Sequence, residues 1–293
     1  MPYSLIANET AYAKINLALQ LVVQLPNGYH QLDSVVGFID IGDHLQASAE
    51  MDGTIRLAIE GIYSEGLCSE NNLVIRAAQC LQQHANLSVG AHIRLTKNIP
   101  VGAGLGGGSA DAAASLRLLN RVWNLRYSTA MLAEISEELG ADVPACVFSQ
   151  STRMEGVGEQ LSPLPHVPAL PIAVVYPNIP LWTPDVYTAL HGKGFSGRLS
   201  NIPAIGATSK QWLDWLHAHA NDLEAPAMQL NNQIIAMLKQ LASTQGCVLS
   251  RMSGSGSACF GVFENAHSAE LAAQEIQTAQ PKWWVRSSHI LGM

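Results

Sequence analysis

Along residues 11–23, AYAKINLALQLVV, the pattern has a period of two. Ala11, Ala13, Ile15, Leu17, Leu19 and Leu21 fall on one face, and Tyr12, Lys14, Asn16, Ala18 and Gln20 on the other, which predicts a strand with one apolar side. After the turn signal PNGYH at 26–30, SVVGFIDIGDHLQASAE and TIRLAIEG predict further strands, joined by Asp52-Gly53 as a hairpin turn. From Asn72 the period changes to that of a helix, with Leu73, Ala77, Cys80 and Leu81 near one stripe. AHIRLTKNIP then returns to a strand that stops at Pro100.

Residues 100–114, PVGAGLGGGSADAAA, carry glycine at 102, 104, 106, 107 and 108 and then turn helical. Ser109 is placed to cap that helix and Asp111 to lie in its first turn, while Ala112, Leu116, Leu119 and Trp123 form its buried stripe. STAMLAEISEELG predicts a second helix ending on Gly140, and ADVPACVF starts a short helix or strand at once. Four prolines in LSPLPHVPALP, 161–171, mark a domain boundary and divide the chain into 1–160 and 161–293. Beyond it come a short buried strand PIAVVYP, a polar loop at 191–209 and a helical segment KQWLDWLHAHANDLE. Two apolar runs around MSGSGS, a helix SAELAAQEIQTA and a strand-like WWVRSSHI complete the pattern. Strand-rich and helix-rich stretches in two blocks give an α+β fold with two domains.

Composition narrows the function classes. The 293 residues are 48% hydrophobic but only 13% charged, with net charge −7, so no basic surface serves a nucleic acid or an anionic membrane. Cysteines 68, 80, 146, 247 and 259 are odd in number and contain no CxxC pair, as expected of reduced, mostly buried thiols. The start MPYSLIANET has neither a basic nor an apolar leader region, and no apolar run reaches bilayer length; the expectation is a cytoplasmic protein. Among ten histidines no pair has metal-ligand spacing, so no metal-holding residue is assigned.

The glycine loop carries the chemistry. Gly102 to Gly107 satisfies GxGxxG, yet a second helix follows the first, where a dinucleotide fold needs a strand with an acidic end. Gly102 to Ser109 also nearly spells GxxxxGKS, with Gly108 in the lysine position. What survives is a nest of backbone amides leading into the positive end of a helix, enough to hold a nucleotide phosphate. The competing reading is a crowded strand-to-helix turn; five glycines within seven positions favour the phosphate.

Together AKINLAL (13–19), NGYH (27–30), NNLVIRAA (71–78), KNIPVGAGLGGGSADAAASL (97–116), GADVP (140–144) and MSGSGSACFG (252–261) resemble the galactokinase, homoserine kinase, mevalonate kinase and phosphomevalonate kinase superfamily of small-molecule kinases. Within it they are most similar to the branch acting on 4-diphosphocytidyl-2-C-methyl-D-erythritol. Tyr12 and Asn27 depart from the family pattern, which has proline and aspartate there. The resemblance implies a GHMP-kinase-like fold with its active site between the domains, ATP as phosphate donor with Mg²⁺, and a monomer or homodimer working in non-mevalonate isoprenoid synthesis.

It also implies roles. Lys14 would hold the reacting hydroxyl beside the transferred phosphoryl group, and Asp142 would take the hydroxyl proton. Asn16 shares the face of Lys14 and reaches the same pocket. Tyr29 would stack on the cytosine, His30 would bond its edge, Tyr187 would close the sandwich, and Thr183 would add a hydroxyl contact. Asn72, Leu73 and Lys97 would flank the adenine and phosphates, and Pro100, Gly102, Gly104, Leu105, Gly106, Gly107, Gly108 and Ser109 would cradle the phosphates.

From the residues alone, blander readings stand beside these. Lys14 reads also as a solvated lysine on an edge strand, Asp142 as a helix N-cap, and the GYH triplet as surface loop. Asn72, Leu73 and Lys97 read equally as helix start, core and strand end. Ser253 to Ser257 lie between two strands, the wrong context for a nucleophile elbow, and read as a loop closing over the active site. The alternatives are another kinase of the superfamily acting on mevalonate or homoserine, or a nucleotide-binding module without catalysis.

Overall fold

The computed structural model describes residues 6–190 and 194–292. Two compact units emerge from its contacts, and the chain passes between them more than once. The first unit comprises the chain up to Ala13, Ile41–Val101 and Gly106–Ser149; the second comprises Lys14–Asp40, Gly102–Leu105 and the chain from Gln150.

In the first unit, β1 (Ala7–Gln24) and β2 (His30–Glu50) are single long strands that pair with each other and continue into the second unit. β3 (Ile55–Glu60) follows, then α1 (Leu73–His84) and β4 (Gly90–Thr96). Asp52 does make a turn, accepting from the Thr54 amide at 2.9 Å, but the expected hairpin is absent. β4 pairs antiparallel with β2, His44 opposite Thr96, and parallel with β3, Ile55 opposite Ala91, so it lies between them. Parallel neighbours need a crossover, which α1 supplies. Burial agrees: Ala91, Ile93 and Leu95 of the central strand are buried, while Ile55, Leu57 and Ile59 at the edge are half-buried.

α2 (Gly107–Val122) packs on α1 through a stripe of small and apolar residues in which Ala112, Leu116 and Leu119 are fully buried. α3 (Thr129–Ser136), capped by Ser128, runs into a short 3-10 turn that Gly140 ends. α4 (Val143–Phe148) packs on α2 and α3. The Arg117 guanidinium of α2 donates to the Cys146 carbonyl of α4 at 2.7 Å and to Glu9 of β1 at 2.9 Å.

In the second unit the first half of β2 pairs with β5 (Thr152–Gly156), which pairs with β6 (Gln160–Pro163). β7 (Pro171–Tyr176), α5 (Thr183–Thr188), α6 (Ser209–Ala218), α7 (Glu224–Leu230) and α8 (Gln233–Ser243) follow. β8 (Cys247–Met252), β9 (Cys259–Phe263), α9 (Ala266–Ala279) and β10 (Trp284–His289) complete it. The four strands form an antiparallel sheet in the order β10-β7-β9-β8, with α8 and α9 packed on it over a core that includes Val175, Ile234, Met237, Phe263 and Ile276.

The expected helix from Lys210 to Glu224 is interrupted after Ala218. There the backbone pairs with β1: Leu19 donates to the Ala220 carbonyl at 3.1 Å and Asp222 donates to that of Leu19 at 2.9 Å. Sheet pairing outweighs the local helical preference. All five cysteines are free thiols, but only Cys146 and Cys259 are buried and Cys68 is exposed. No helix among the described residues is long and apolar enough to cross a membrane. Residues 191–193 of the expected polar loop and residues 1–5 of the start lie outside the described residues.

Candidate functional site

Both faces of β1 are covered. Lys14 is 4% exposed and Asn16 5%, so the reading of Lys14 as a solvated edge-strand residue does not hold. The backbone fixes Lys14 to the glycine loop, its amide donating to the Leu105 carbonyl at 2.9 Å. The loop between β8 and β9 locks onto the same segment. Ala258 donates to the Ala103 carbonyl at 2.9 Å, and the Ser253 hydroxyl reaches the Gly104 carbonyl at 3.4 Å and accepts from the Asn16 amide at 3.2 Å. The Asn16 side-chain amide donates to Ser34 Oγ at 2.8 Å. Gly104 has φ +79°, and a Cβ there would come within 2.4 Å of the Gly256 carbonyl oxygen, so its glycine is demanded by the protein itself. Asn221 secures the loop by donating to the carbonyls of Met252 and Gly254 at 2.9 and 2.8 Å. Ser253 and Asn221 were not singled out as site residues: their partners are distant in sequence, and only the MSGSGS loop was visible.

The aromatic group lies in the same unit. In the turn before β2, Asn27 Oδ1 accepts from the Tyr29 amide at 3.1 Å, so asparagine fulfils the turn role of the aspartate it replaces. Tyr29 stands 66% exposed. His30 lies against Tyr187, ring centroids 5.2 Å apart and tilted by 36°, and meets the edge of Phe195 at 5.6 Å. Partial burial lowers the His30 pKa below its ordinary 6.5. Thr183 shares a hydrogen bond of 2.7 Å with Ser255 of the hairpin loop. Phe195 was missed because a single aromatic in a polar loop carries no periodic signal.

In the first unit α2 starts three residues earlier than expected. Gly106, with φ +66°, is the N-cap and no side chain caps the helix, so Ser109 belongs to its first turn and is not the cap. The first-turn amides of Gly107, Gly108 and Ser109 have no intrahelical acceptors and give this end its positive character. A Cβ at 107 would meet Ile99 at 3.4 Å and Lys97 Nζ at 3.6 Å, and one at 108 would meet only Leu73 at 3.6 Å. These are ordinary contacts. Protein packing therefore does not demand glycine at 107 and 108, whereas an anion approaching the amides would.

Asn72 caps α1, its Oδ1 accepting from the Val74 amide at 2.9 Å, and Leu73 is half-buried. Pro100 is buried and Gly102 exposed. Lys97 is buried and donates to Asp43 and, at 2.7 Å, to Asp111 Oδ2. Asp43 Oδ1 also accepts from the amides of Asn98 and Ile99 at 2.5 and 2.8 Å. Burial opposes the Lys97 charge, but Asp111 and Asp43 outweigh it and hold the ammonium above its ordinary range. Burial pushes the Asp111 carboxyl well up; Lys97 pulls it back and Asp43 adds to the rise. Asp111 is thus a buried partner of Lys97 and not a first-turn acid.

Asp142 occupies the N-cap position of α4, yet its side chain makes no capping bond, so the plain N-cap reading is not what the structure has. Lys14 belongs to the second unit and Asp142 to the first. Among the described residues no group of three or more His, Cys, Asp or Glu could hold a metal ion.

Comparisons with known proteins agree with this geometry. The GHMP kinases N terminal domain matches residues 72–150 and the GHMP kinases C terminal domain matches 205–282. A 4-diphosphocytidyl-2-C-methyl-D-erythritol kinase of Bradyrhizobium diazoefficiens is 42% identical over 290 residues, covering 95% of this chain and 96% of its own. One from Nitrobacter hamburgensis is 43% identical over 291 residues, covering 96% and 94%. A crystal structure of 4-(cytidine 5'-diphospho)-2C-methyl-D-erythritol kinase superposes with TM-score 0.80 at 30% identity, covering 98% of this chain and all of that one (100%). Homoserine kinase from Cytophaga hutchinsonii shares the fold, with TM-score 0.68 at 16% identity over 97% and 95% of the two chains. A strand leading through an uncapped glycine loop into a helix, near-complete coverage by these relatives and matches to both halves of one family have a single explanation: the chain belongs to the GHMP kinases, in the branch of the 4-diphosphocytidyl-2-C-methyl-D-erythritol kinases.

Proposed function

We propose that the protein transfers the γ-phosphate of ATP to the 2-hydroxyl of 4-diphosphocytidyl-2-C-methyl-D-erythritol, a cytoplasmic step in non-mevalonate isoprenoid precursor synthesis. The observation that carries this reading is the hydrogen bond from the Lys14 amide to the Leu105 carbonyl, which ties a buried lysine to the glycine-rich segment. The first-turn amides of α2 bind the phosphates. Lys14 steadies the reacting oxygen, and Asp142 accepts its proton as that oxygen attacks phosphorus. Phosphoryl transfer asks for little covalent help, so positioning and positive charge supply most of the acceleration.

His30, Tyr187 and Tyr29 hold the cytosine, with Phe195 supporting His30. A Mg²⁺ accompanying ATP would be held mainly by phosphate oxygens and water, the ordinary mode for this ion, and would neutralise phosphate charge.

The test is ADP release from ATP offered with the cytidyl substrate, mevalonate or homoserine. Turnover is expected with the cytidyl substrate alone, and Asp142→Asn is expected to lower kcat by about 100-fold or more. Turnover confined to mevalonate or homoserine would replace the substrate. No ADP with any alcohol would leave a nucleotide-binding module.

A further inference from the structure

The cluster of Asp43, Lys97 and Asp111 does no chemistry in the reaction above, yet it is among the most buried charged groups in the chain, at 0%, 4% and 4% exposure. Three separate pieces of the first unit meet there: Asp43 from β2, Lys97 from the residue just after β4, and Asp111 from the second turn of α2. Lys97 is held on every side. Its amide donates to the Glu60 carbonyl at 2.7 Å, its carbonyl accepts from Tyr63 at 3.3 Å, and its ammonium bonds both carboxylates. Asp43 meanwhile grips the next two amides, and the Asn98 side chain donates to the Gly42 carbonyl at 3.2 Å.

Asp43 and Asp111 both bond the ammonium, so Lys97 commits its donors within the protein and not to a phosphate. Its Nζ lies instead 3.6 Å from where a Cβ on Gly107 would be, beneath the first residue of α2. Asp111 Oδ1 has no hydrogen-bond partner, a cost that a purely stabilising apolar filling would avoid.

We propose that Asp43 and Asp111, acting through Lys97, are positioning residues that fix the first turn of α2 against the end of β4 and so hold the amides of Gly107, Gly108 and Ser109 in register for the triphosphate. This rests on the reading that the phosphates lie at that turn. Lys97 then serves ATP from behind the helix, and the positive field that meets the phosphates comes from the amides.

The experiment is steady-state kinetics with thermal melting on three proteins. Lys97→Met with Asp111→Leu removes the ammonium and one of its two carboxyl partners together, while Asp43 keeps its bonds to the Asn98 and Ile99 amides. That protein is expected to raise the KM for ATP by about 10-fold or more while the KM for the cytidyl substrate changes by less than about 2-fold. Asp111→Asn keeps an oxygen for the Lys97 bond and is expected to hold the ATP KM within about 3-fold of the parent. If the double variant does not fold, Asp43→Asn loosens the same tie while Asp111 still balances Lys97, and the same split of at least about 3-fold is expected.

An unchanged ATP KM in a folded double variant, or equal rises in both KM values, overturns the proposal. Gly108→Ala separates this from the underlying reading. If it leaves the ATP KM unchanged, the phosphates are not at this turn and both ideas fall; if it raises the ATP KM and the triad variants do not, only the positioning role falls.

Discussion

Lys14 and Lys97 are two of six lysines in the chain, and both are buried, yet the sequence distinguishes them poorly. Alternation placed Lys14 on a defined face of a strand, and the structure keeps it there. The environment of Lys97 was not legible, because Asp43 lies 54 positions away and no local period links them. His30 gives a prediction at this scale. Burial lowers its pKa below 6.5, so it is neutral at pH 7 and offers one donor and one acceptor to a base. The KM for the cytidyl substrate is expected to be level above pH 7 and to rise only as pH falls below 6.5, and His30→Gln should flatten that profile. The stability sign is parallel: the unfolded chain takes up this proton more readily, so the His30 contribution is lost as pH falls from 6.5 toward the folded value.

At the scale of elements, most strands and helices were legible from period alone, and the misreadings share a cause. The Asp52-Gly53 turn looked like a hairpin because turn chemistry reports a local reversal and not which strand becomes the neighbour. The helix after Lys210 was drawn too long because Ala220 and Asp222 bond to Leu19 on a strand far earlier in the chain, the neighbouring Leu21–Asp222 bond spanning 201 positions. The glycine loop divides by the same kind of reasoning. Gly104→Ala forces a side chain to φ +79° and against the Gly256 carbonyl, and melting should show a loss of about 1–3 kcal/mol. Gly108→Ala meets only an ordinary contact within a helix, so its melting temperature should hold or rise while phosphate binding weakens.

Over the whole molecule, the family, the α+β class and the kinase chemistry were all legible in motifs. The last passage of the chain between units comes at Ser149–Gln150, ahead of the prolines at 161–171. The crossings after Ala13 and Asp40 fall inside β1 and β2, where the alternating pattern runs on without a break. A period of two records which face is covered and is silent about what covers it. The net charge of −7 has its own consequence: at physiological salt, fluorescence anisotropy with single-stranded DNA should show no binding, and solubility should be lowest near the isoelectric point of about 5.8.

The placement of β4 between β2 and β3 imposes an order on synthesis. β3 leaves the ribosome with no partner beside it, since the strand it needs begins at Gly90, after α1 has been made. At roughly 5–20 residues per second that wait lasts about 2 to 6 seconds, during which Ile55, Leu57 and Ile59 form an open edge on the nascent chain. Slower translation through the codons for residues 61–89 would lengthen the exposure, and holding chaperones would find their target there before the glycine loop exists.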